Sequence, residues 1–71
     1  MAWKIRKELK KYLSSIKFNV ENQGNNWYEV KIKYPAKTIE DAKSSLAIRD
    51  MVYEKMHDFE VKNNIILTIT I

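Results

Sequence analysis

Cysteine is absent from the 71 residues, and histidine, glycine and proline each occur once. Without cysteine no disulfide can staple the chain, and with His57 as the only histidine no Cys/His zinc set can be assembled. A domain of this length buries only about 60% of the surface its unfolded chain exposes, so its core alone must hold it. One glycine excludes a phosphate-cradling glycine loop. The lack of cysteine fits a reducing compartment, and a cytoplasmic location is the expectation. Long hydrophobic runs are missing as well. The longest aliphatic run is Ile65-Ile66-Leu67, far short of the roughly 20 residues a membrane span needs. Charges continue from Lys4 through Lys11 where a signal peptide would turn apolar.

What remains is the composition of one folded domain spanning 1–71, 45% apolar and 31% charged. Abundant Lys, Ile and Asn suggest codon bias from an AT-rich microbial or phage genome. Charge is unevenly spread. Residues 1–37 carry nine Lys/Arg against three acids, and residues 38–71 carry four against six, together giving the formal +4. The basic half invites a polyanionic partner.

Periodicity supplies the elements. Ile5, Leu9, Tyr12, Leu13 and Ile16 share one face at helical spacing, which predicts an amphipathic helix over 3–15. Ile16, Phe18 and Val20 then alternate with Lys17, Asn19 and Glu21 as a half-buried strand. A turn cluster containing Gly24 follows. Tyr28, Val30, Ile32 and Tyr34 next alternate with Trp27, Glu29, Lys31 and Lys33, completing a hairpin that Pro35 should end. Thr38, with Glu40 and Asp41 behind it, reads as the capped start of a second helix running to about His57, with an apolar face that includes Ala42, Leu46, Val52 and Tyr53. Asp41 stands where a full capping box has Glu or Gln. After Lys62-Asn63-Asn64, residues 65–71 alternate as a last strand. A rival reading makes 59–62 a short strand of its own. The expected fold is therefore α+β: a two-layer α-β-β-α-β arrangement, a three-stranded sheet with two helices packed on one face. The crossover should be right-handed.

Two cationic surfaces follow. The first helix presents Lys4, Lys7 and Lys11 as a ridge, with Arg6, Lys10 and Trp3 at its margins; spaced cations of this kind neutralise phosphates. The outer sheet face would carry Trp27 among Lys17, Lys31 and Lys33, an aromatic ringed by cations as in modules that stack single-stranded bases. Both surfaces also have plain readings, a solvated helix face for the first and cross-strand packing or a Trp27–Ile66 dimer contact for the second. Amphipathic helices also lie on membranes. Here the apolar stripe is needed to cover the sheet, so no membrane partner is expected.

Arg49 falls inside the apolar arc of the second helix. Its guanidinium should reach water or an acid such as Glu21, or else form an anion site between the helices. His57 should lie near that helix's end as a surface group. The serines sit in no nucleophile motif, so neither catalysis nor a cofactor is expected. The α-β-β-α opening is loosely similar to the double-stranded RNA-binding domain. That fold has three consecutive strands between its helices and this chain has two, so nothing of that family is carried over. The expectation is a non-enzymatic nucleic-acid module using Lys4, Lys7, Lys11, Lys17, Trp27, Lys31 and Lys33. The alternative is a protein-interaction or homodimerisation module, joining through the exposed sheet face or the strand ending at Ile71.

Overall fold

A computed structural model describes residues 1–34 and 37–71. The elements follow the expected order: α1 (Ala2–Leu9), β1 (Lys17–Gly24), β2 (Trp27–Lys33), α2 (Ile39–Asn63) and β3 (Ile66–Thr70). The strand-ending role expected of Pro35 falls outside the described residues.

α1 is shorter than its apolar spacing suggests. Beyond Leu9 the bonding tightens to one residue closer, Lys11 N–H to Glu8 O at 3.2 Å and Tyr12 N–H to Leu9 O at 3.0 Å. The chain must reverse through Ser14 and Ser15 to enter β1, and such tightened turns are a common way for a helix to end. Leu13 still packs in the core, only 2% exposed.

β1 and β2 pair antiparallel, with Lys17 opposite Lys33 and Val20 opposite Val30. The turn between them relies on asparagine more than on glycine. Asn25 and Asn26 both have positive φ, 52° and 62°, as a two-residue type I′ hairpin demands. Gly24, at φ 89°, absorbs a register shift beside it, and its N–H donates to Asn22 Oδ1 at 2.8 Å.

α2 starts where expected and stops later. Thr38 Oγ1 accepts the Asp41 N–H at 3.1 Å. The shorter Asp41 carboxylate reaches back one residue further than a capping-box glutamate would, accepting from Lys37 N–H at 3.2 Å. The helix then passes His57 without a break and ends at Asn64, which sits in the left-handed region at φ 52° and ψ 49°. Asn64 N–H bonds Val61 O and Ile65 N–H bonds Glu60 O, the paired closure that lets a left-handed residue end a helix. Residues 59–62 are therefore helical, not a fourth strand, and His57 lies within the helix rather than near its end.

β2 is the central strand, antiparallel to β1 and parallel to β3. Alternation sends Val20, Tyr28, Val30, Ile32, Leu67 and Ile69 to the side where Ile5 and Leu9 of α1 and Val52 and Met56 of α2 complete one core. Both helices thus cover one sheet face, and Trp27, Lys31 and Lys33 look outward. The second helix's outer apolar positions depart from expectation: Ala42, Leu46 and Tyr53 are exposed. At 25 residues α2 is about 37 Å long, whereas β2 spans about 23 Å with its seven residues, so the helix outruns the sheet.

Candidate nucleic-acid interface

The seven candidate residues fall on two opposite surfaces. Lys4 and Lys7 are exposed on α1 and Lys11 on the turn that follows it, so the expected helical ridge loses its last member. Lys11 Nζ lies 3.1 Å from Glu8 Oε2, and Lys4 Nζ stands 5.8 Å from the centre of the Trp3 ring. Lys17, Trp27, Lys31 and Lys33 lie on the open sheet face.

On that face Lys31 is not a free cation. Its Nζ sits 3.6 Å from Glu21 Oε1 and 3.4 Å from Glu29 Oε1. The Glu21 charge, followed by the hydrogen bond and charge of Glu29, raises its pKa above the ordinary lysine value. Trp27 is 41% exposed, and its indole N–H donates to Thr68 Oγ1 on β3 at 2.8 Å. The ring is thereby tied across the β2–β3 pair beside Ile66, its register partner. About 20 Å of strand separates Trp27 from Lys33.

The concentration of free positive charge lies elsewhere. Lys17 and Lys33 face each other across the β1–β2 ladder. Where β1 begins, Arg6 of α1 and Lys10 at its C-cap come alongside them around an open cleft of about 540 Å³. Leu13, Ser14, Ile16, Phe18 and Asn19 complete its wall, and no acid lines it. Arg6 and Lys10 are one turn apart, so they project from the same side of α1. Helical spacing alone sets both at the margins of the Lys4–Lys7–Lys11 ridge. The available signal was that four-residue spacing, combined with a hairpin register that sets Lys17 against Lys33.

Arg49 and His57 stand apart from the cleft. Arg49 does not reach Glu21, which is engaged on the opposite sheet face with Lys31. Its Nη2 lies 3.4 Å from Asp50 Oδ1, and its Nε is buried without a partner. His57 is exposed beside Glu60, Val61 and Asn64. Among the described residues no group of His, Asp or Glu is arranged to hold a metal ion, and no helix is long and apolar enough to cross a membrane.

Unlike the cleft, the β3 edge is covered. Ile66 N–H bonds Asn26 O, in the turn just before β2, so by alternation the amides of Leu67 and Ile69 point to the outer edge. Glu60 Oε2 accepts from Leu67 N–H at 2.8 Å, and the Tyr53 hydroxyl accepts from Ile69 N–H at 2.8 Å. Side chains of α2 thus occupy the positions a further strand would take.

Comparison with family models, with curated proteins and with solved structures finds no match to this chain.

Proposed function

We propose that this domain is a non-enzymatic module that binds nucleic acid through the cationic cleft at the start of β1. The supporting observation is the convergence of Arg6, Lys10, Lys17 and Lys33 on one cleft without a lining acid. Four cations held by three elements, α1 with its C-cap, β1 and β2, suit consecutive phosphates, and neutralising each phosphate releases counterions. Phe18, half-buried in the same wall, offers an apolar surface for a base or sugar. Trp27 is a second contact on the open face, and the Lys4–Lys7–Lys11 ridge contributes long-range attraction only. A cytoplasmic location belongs to the same proposal, supported by the lack of cysteine.

The test is fluorescence anisotropy with labelled single- and double-stranded oligonucleotides over a salt series. Log affinity should fall against log salt with a slope of about −3, the value for four phosphates at about 0.7–0.9 each. The double variant Lys17→Glu/Lys33→Glu should weaken binding far more than Lys4→Glu/Lys7→Glu. Equal losses from the two variants, or affinity indifferent to salt, would remove the cleft from the proposal.

A protein-interaction role is the second reading, favoured by the exposure of Ile66 next to Trp27. Pairing through the β3 edge is the weaker form of it, because Glu60 and Tyr53 already satisfy the two outward amides.

A further inference from the structure

α2 has two apolar faces and the fold covers one of them. Val52 and Met56 are fully buried against the sheet. About 90° around the helix, Ile39, Ala42, Leu46, Arg49 and Tyr53 follow one another at alternating three- and four-residue steps, the spacing of a straight seam along a helix flank. Ile39 is 78% exposed, Leu46 47% and Tyr53 37%. Beneath Tyr53 this flank meets β3, where the tyrosine hydroxyl bonds Ile69. From Tyr53 back to Ile39 the helix runs about 21 Å further, whereas β3 ends at Thr70. The seam therefore overhangs, with Ile71, 47% exposed, at its foot.

We infer that this flank is the contact between two copies of the chain, packed as an antiparallel α2 pair about a two-fold axis at Leu46. That axis sets Leu46 against the partner's Leu46 and Ile39 against the partner's Tyr53. It also brings Arg49 within one residue step of the partner's Ala42, a small residue that leaves room for the long stem. Charge decides the occupant. The outer border of the seam carries Lys43 and Asp50, which the same axis brings within one residue step of each other twice, Lys43 to the partner's Asp50 and Asp50 to the partner's Lys43. Within one chain Lys43 has no ion pair among the described residues, and Asp50 holds only the edge of the Arg49 guanidinium at 3.4 Å. A surface that is apolar along its middle except at Arg49, and opposite in charge at its paired border positions, is complementary to itself, as a two-fold interface must be. This contact lies on the β3 side of the molecule and leaves the cationic cleft, on the β1 side, open. It is also distinct from the open sheet face.

Sedimentation equilibrium reads the result directly: the wild type should approach twice the 8.5 kDa of one chain. Leu46→Glu should return it to one chain with an unchanged circular dichroism spectrum, because Leu46 is half exposed and outside the core. Lys43→Glu and Asp50→Lys should each loosen the pair about tenfold, and the double variant Lys43→Glu/Asp50→Lys should restore it. Rescue by the swapped pair is not expected of a fold defect. A cysteine introduced as Leu46→Cys, the only one in the chain, should form a disulfide between copies on mild oxidation. A wild type still at one chain's mass at about 1 mM overturns the inference. So does a dimer that survives Leu46→Glu, or a swapped pair no tighter than its single variants.

Discussion

Ile69 offers its amide hydrogen to the outer side of β3, where no further strand follows, and the Tyr53 hydroxyl accepts it at 2.8 Å. Removing that oxygen while keeping the ring isolates the link between Tyr53 and Ile69, whose carbonyl also accepts from the hydroxyl at 3.4 Å. Tyr53→Phe should cost about 1 kcal/mol, the low end of the range for stranding a donor, because the half-exposed ring admits water. Urea unfolding gives the loss and hydrogen exchange locates it, with the Ile69 amide exchanging faster than its neighbours. Unchanged exchange at Ile69 would deny Tyr53 this role. Lys31 shows the opposite balance at the same scale. Its partners raise its pKa, so its contribution to stability is whole below the ordinary lysine value and fades only as pH rises through the raised one. Fully exposed, it is worth little to the fold, and its charge is unavailable to a phosphate without separation from Glu21 and Glu29.

The helices show where local chemistry sets an element's limits. Asn64 ends α2 from a backbone conformation that a side chain with a β-carbon enters at a cost of roughly 1–2 kcal/mol, which asparagine lowers by local hydrogen bonding. Asn64→Ala should therefore lower stability by about 1 kcal/mol, and Asn64→Gly should hold or raise it. A thermal melt of the pair decides, and equal midpoints would mean that another contact stops the helix. Element types and the inward and outward parity of β2 were legible because Tyr28, Val30 and Ile32 alternate with charges over an uninterrupted run. The end of α2 was not, since Asp58 to Asn63 contains nothing that forbids helix and the stop depends on one φ angle. For the same reason the cleft was half legible. Lys17 and Lys33 were visible on the strands, but the approach of Arg6 and Lys10 depends on how α1 packs, and helix periodicity alone does not set that. The exposed flank of α2 was read as core because apolar spacing does not say which of two faces the sheet will reach.

Across the whole molecule the formal charge is +4, and its densest part is the cleft. Lys17 and Lys33 stand directly opposite on neighbouring strands, an arrangement of like charges that destabilises a sheet by roughly 0.2–1 kcal/mol. The molecule therefore carries strain in its empty state that a bound polyanion would relieve. Salt can relieve part of it too, since mobile ions screen solvent-exposed charges. Heat tolerance and ligand grip should accordingly move in opposite directions. Added sodium chloride, or the single change Lys33→Gln, should raise the melting midpoint by about 1–6 °C while weakening attachment to an oligonucleotide. A midpoint that stays flat or falls in both cases would mean that the four cations do not burden the fold. The cleft then would not be the place where this chain gives up robustness for the capacity to hold something else.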